Sequence, residues 1–213
     1  MIRGSENDHT VPFLDTALRE LEKLNNLREE SILLSRKLLA ICRASIVKIR
    51  HLNDLLETEE KLREVVREVN SFLRRCADEI GYIDESVRTS LSPVLQEAVE
   101  GISLSRILRG APVPSHKELL VRPKEYLLGI ADAIGEIRRV VLQCLMEEDI
   151  TKAQDLTNKM EEIYEALNSA VFPDSLVPIR KKVDLARILV DKTLSELIVY
   201  KASLKLKKGG DRE

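Results

Sequence analysis

The stretch Tyr126–Arg139, YLLGIADAIGEIRR, decides how this chain is read. Its spacing is that of a helix. Asp132 and Glu136 stand four positions apart and so on one face. Gly129, Ala131, Ala133 and Gly135 surround them. Glycine inside a helix costs roughly 0.5–1 kcal/mol relative to alanine, so two in one segment predict a neighbouring helix at close range. A second acidic pair, Glu97 and Glu100, lies in SPVLQEAVEG (residues 92–101) and also shares a helical face. The two pairs read as facing each other.

Outward from that stretch the chain continues in the same idiom. Of 213 residues 44% are apolar, 33% are charged and only 3% are aromatic, with 8 Gly, 7 Pro and no Trp. That composition favours long helices over sheet. Upstream, apolar residues recur at helical spacing from about Pro12 to Leu52, a helix of roughly 60 Å. It must pack along other long helices or project into an oligomer, and Asn25–Asn26 is its weakest point. Asp54 to Glu57 reads as a capping-box start, and a second helix follows to Gly81. Asp84 caps a third, which carries Pro93 either as a restart or as a kink and ends near Gly110. Residues 111–115, APVPS, form a loop, and residues 116–121 a short turn of helix. Pro123 opens the helix of the central stretch, which runs to about Glu148. Two more follow, over residues 151–170 and from about Arg180 to Leu206. The expectation is an all-α chain of about seven helices: residues 1–9 disordered, a single domain over 10–206, and a mobile tail over 207–213.

Net charge is −2, so the overall field is not that of a basic nucleic-acid binder, and any such binding needs local patches. Cys42, Cys76 and Cys144 are widely spaced, no CxxC is present, and His9, His51 and His116 complete no zinc pattern. Buried reduced thiols in a cytoplasmic protein are expected. No glycine-rich phosphate loop, GxSxG elbow or internal repeat is found.

The acidic pairs admit two readings. In a chain this charged, such pairs arise on solvated faces. Against that, the neighbours here are small and apolar, and no Lys or Arg follows Asp132 until Arg138. Like charges on one face repel, and a divalent cation is the natural compensation. An all-carboxylate set suits a hard ion, Mg²⁺ or Mn²⁺, the machinery of phosphodiester hydrolysis. Arg139 follows Glu136 by three. Arg106 and Arg109 follow Glu100 by six and nine and read as lying on the same side of their helix. These three arginines could hold substrate phosphates or pair with carboxylates of neighbouring helices. Lys181–Lys182 and Arg74–Arg75 read as solvated faces.

At these residues the sequence resembles the translin family, and within it the translin-associated factor X (TRAX) branch. Residues 126–136 follow the TRAX pattern YLLGxADxxGE, and residues 92–101 follow [ST]PxLQExVE[AG]. Ile134 and Arg138 depart from the branch, which tends to place a hydroxyl and an apolar residue there. The resemblance implies a fold of seven helices. It also implies hollow octamers that bind single-stranded nucleic acid, RNA or DNA. For the TRAX branch it implies a Mg²⁺-dependent endoribonuclease whose catalytic and metal-binding carboxylates would be Glu97, Glu100, Asp132 and Glu136. The translin-type alternative binds single strands without cutting them.

Overall fold

The structure, a computed structural model, describes residues 12–210. Among them are six α-helices and no strand: α1 (Pro12–Arg50), α2 (Leu55–Ile80), α3 (Glu85–Leu108), α4 (Pro123–Met146), α5 (Ile150–Asn168) and α6 (Arg180–Gly210). None is long and apolar enough to cross a membrane. The expected disorder of residues 1–9 lies outside the described residues. At the other end α6 continues through residues 207–210, and only 211–213 fall outside.

The all-α expectation holds, but six helices replace seven. Helix α3 passes through Pro93 without a break, and residues 116–120 form turns rather than a helix. Proline lacks a donor, so one carbonyl of the preceding turn goes unbonded; the packing of α3 outweighs that loss. Helix α1 likewise continues through Asn25–Asn26, where the Asn25 amide donates to Glu29 one turn on.

The helix ends follow local chemistry. Gly81 closes α2 at φ 83°, its N–H bonded to the Ala77 carbonyl. Asp84 caps α3 by accepting from the Ser86 N–H at 2.7 Å. Pro123 occupies the first turn of α4. Asp54 departs from the capping-box expectation. It precedes α2, but in the left-handed region (φ 47°, ψ 45°) and with no side-chain cap bond.

Contacts give the helix directions. Along α1 and α2, Glu30 meets Arg75 and Lys37 meets Glu68, so the two run antiparallel. Along α3 and α4, Ser92 bonds Glu125 and Gln96 lies against Gly129, the same offset of 33 residues, so these two run parallel. Residues 109–122 must therefore travel back beside α3, with Leu119 and Val121 buried and the Tyr126 hydroxyl donating to the Pro114 carbonyl at 3.0 Å. Helix α6 also parallels α4: Lys182 meets Asp132 and Arg138 meets Glu196. The result is two up-down-up triplets, α1–α2–α3 and α4–α5–α6, joined along α3 and α4. Their shared core includes Leu38, Ile49, Leu62, Val94, Ile102, Ile134 and Ile137. All three cysteines are buried and free, as expected.

Candidate metal centre

The seam between α3 and α4 positions the acidic residues. A Cβ on Gly129 would stand 2.5 Å from the Gln96 carbonyl oxygen and 2.8 Å from Val99 Cβ. No side chain fits there, which is the close approach that the central stretch predicted. Gly135 needs no such explanation: its nearest neighbour would be Leu189 Cδ1 at 3.9 Å. Because the helices are parallel and touch at Gln96 and Gly129, Glu97 and Glu100 are brought level with Asp132 and Glu136.

The electrostatics place the four in one neighbourhood. The Glu100 carboxyl is pushed up to about 8 from 4.5, first by burial and then by the negative charges of Asp132, Glu97 and Glu136; Lys182 opposes the rise. Each of the other three has a basic neighbour. Lys182 donates to Asp132. Arg43 approaches Glu97 at 3.5 Å. Arg50 Nε lies 3.2 Å from Glu136 Oε2, and Arg139 lies 3.7 Å from its other oxygen. The Arg50–Glu136 pair lacks hydrogen-bond alignment, so both atoms are buried without a hydrogen-bond partner. As they stand, the carboxylates do not converge on one point: no group of three or more His, Cys, Asp or Glu among the described residues is arranged to hold a metal ion.

A cation is compatible with this chemistry. The donors are all carboxylate oxygens, one buried oxygen makes no hydrogen bond, and the Glu100 carboxyl is pushed up by burial and by the acids beside it. That suits a hard divalent ion better than a soft one. Ligation would require Lys182 and Arg50 to yield their carboxylates.

Sequence reasoning misplaced two arginines. Arg106 Nε bonds Glu59 Oε1 at 2.8 Å, and Arg109 bonds the other oxygen of the same carboxylate. Six and nine residues beyond Glu100 correspond to rotations of about 240° and 180°. Both arginines therefore face α2, not the acidic seam. Glu59, itself buried, also receives Arg63 at 2.9 Å. Burial raises its pKa, but the bonds from Arg106 and Arg63 outweigh that and hold it low. Arg139 stays largely exposed beside Glu136. Lys182, expected on a solvated face, is in the site, as are Arg43 and Arg50. No local signal in the sequence marks those three, since each arrives from a helix remote along the chain.

Comparison with known proteins agrees with this architecture. The family described as "Translin family" matches residues 26–205. An uncharacterized protein of Methanocaldococcus jannaschii is 32% identical over 208 residues, covering 92% of this chain and 90% of its own. Two solved structures of AfC3PO are 31% identical and cover 89% of this chain and 97% of theirs. One, titled a complex with duplex RNA, has a TM-score of 0.75; the other has 0.74. Apo-NeC3PO is 22% identical with a TM-score of 0.74, a likeness of fold, covering 89% of this chain and 98% of its own.

Proposed function

The chain belongs to the translin family, and from that premise we propose that it is a metal-dependent endoribonuclease of the TRAX-like branch, cleaving single-stranded RNA. The observation that carries this reading is the coupling of Glu100 to Asp132, Glu97 and Glu136 across two helices held in register at Gly129. Supporting it, a structure 31% identical to this chain is titled a complex with duplex RNA, which favours RNA as the polymer.

Glu97, Glu100, Asp132 and Glu136 would hold Mg²⁺, or Mn²⁺ in its place. Bound there, the ion supplies positive charge for polarising a phosphoryl oxygen. The residues of the chain do the rest. Glu100, its carboxyl pushed up to about 8 by burial and the neighbouring acids, would give up its proton as the cation binds. Lys182 and Arg50, released from Asp132 and Glu136, are cations beside the acids that can orient the phosphate of the strand. Arg139, exposed at the edge, can do the same. The protein would act as a homo-oligomer, an octamer by its family.

Incubation of the purified protein with labelled single-stranded and duplex RNA, with Mg²⁺ or with EDTA, tests this. Cleavage of the single strand is expected with Mg²⁺ alone. It should be lost in Glu97→Gln, Glu100→Gln and Asp132→Asn with helicity unchanged. Full cleavage by any of these variants would overturn the site.

The ion pairs of Lys182, Arg50 and Arg43 favour a second reading, a non-catalytic binder of single-stranded RNA or DNA in which the acids are merely neutralised. That reading predicts salt-sensitive binding, no cleavage with either metal, and no effect of the acidic substitutions on affinity.

A further inference from the structure

A groove on the opposite side of α3 from the acidic seam gathers positive charge. It encloses about 390 Å³ between α2 and residues 118–120. Arg63, Arg67 and Arg74 line it, and their spacing puts them within about 40° of one another around α2. Arg74 is exposed and has no ion-pair partner among the described residues. Arg67 is 57% exposed and holds Glu60 at 2.7 Å with Glu64 at 3.9 Å, surface pairs that an incoming anion can displace. Arg63 shares the single buried carboxylate of Glu59 with Arg106 and Arg109. Three guanidiniums on one carboxylate leave an excess of positive charge beside the groove.

The one acid lining the groove, Glu118, stays ionised and offsets one of the three arginines, which leaves the lining net positive. The Glu118 carboxylate is occupied by the Ser115 hydroxyl and N–H at 2.7 and 2.8 Å. Those bonds hold its pKa low, and Arg63 and Arg106 lower it further. The lip of the groove is also fixed. The Asn70 amide donates to the Leu120 carbonyl at 3.1 Å. Leu120 itself sits exposed at φ 55°, a left-handed conformation costly for leucine and one that concentrates at binding sites.

We infer that this groove is a phosphate-binding site, in which Arg63, Arg67 and Arg74 receive the phosphates of an RNA strand or of a free nucleotide. Planar guanidinium forks suit phosphate oxygens in pairs. For the RNA source the inference rests on the reading of RNA as the polymer; for the nucleotide source it does not.

The test measures binding of labelled single-stranded RNA and of AMP to the whole protein and to the double variant Arg67→Gln/Arg74→Gln. Arg63 is left in place because it holds Glu59. The double variant should bind RNA about tenfold more weakly near 0.1 M salt. Its slope of log affinity against log salt should fall by about 1.4, for two phosphate contacts at about 0.7 each. Loss of AMP binding with RNA affinity intact would assign the site to a free nucleotide. Unchanged binding of both ligands by the double variant, with wild-type circular dichroism, would overturn the proposal. Failure of every protein to cleave RNA would sink the nuclease reading alone; the altered slope would still establish the groove.

Discussion

Glu100 is the residue on which the acidic seam is balanced. Its carboxyl titrates near 8 because it is buried and because three other carboxylates face it. In the unfolded chain the same group titrates near 4.5. The folded state therefore binds this proton more tightly, and the sign follows. The contribution of Glu100 is fully present below about pH 4.5 and is lost as pH rises through about 8. Without divalent cations, Glu100→Gln should melt close to wild type at pH 5. At pH 8.5 it should melt higher, by roughly 4 °C or more. Scanning calorimetry at the two pH values checks this, and equal differences at both would show that the carboxyl is not strained. The acids themselves were legible in the sequence, because their spacing and their small neighbours are local facts. Their counter-ions were not: Lys182 is 50 residues from Asp132 along the chain.

At the scale of elements, the α3–α4 seam depends on an absent side chain. Gly129→Ala would push a methyl against the Gln96 carbonyl, which is backbone and cannot rotate away. Overpacking of this kind costs about 1–3 kcal/mol, more than the gain in helix propensity. Gly135→Ala meets only an ordinary contact at 3.9 Å and should stabilise by roughly 0.5–1 kcal/mol. Urea denaturation of the two variants should thus give opposite signs. A stabilised Gly129→Ala would mean that the helices are not in contact there. The sequence suggested a close neighbour for both glycines, but only the packing distinguishes them. The same limit explains Arg106 and Arg109: which neighbour they face depends on what packs on the far side of α3, and that is α2.

For the whole molecule, apolar surface is left over. Phe13, Leu14, Leu18 and Leu21 are exposed along the first turns of α1, and Leu185, Ile188, Ile198 and Val199 along α6. Helix α1 is about 58 Å long, and its buried positions begin only at Leu27. A stripe of this extent is unusual on a monomer and fits subunit contacts. Light scattering should give a mass several times 24.2 kDa, reduced by Leu18→Glu/Leu21→Glu. A monomeric wild-type mass would contradict assembly.

The sequence by itself determined the helices, most of their ends and the four carboxylates, since helical periodicity, caps and glycine stops act within a few residues. It also carried the family, through two motifs about thirty residues apart. Tertiary structure alone decided that α3 and α4 run parallel, that Lys182, Arg43 and Arg50 enter the acidic seam, and that Glu59 captures Arg106 and Arg109. Those outcomes depend on the direction and register of helices remote in sequence. A charge finds its partner through space, and a one-dimensional pattern does not encode which helix will lie opposite.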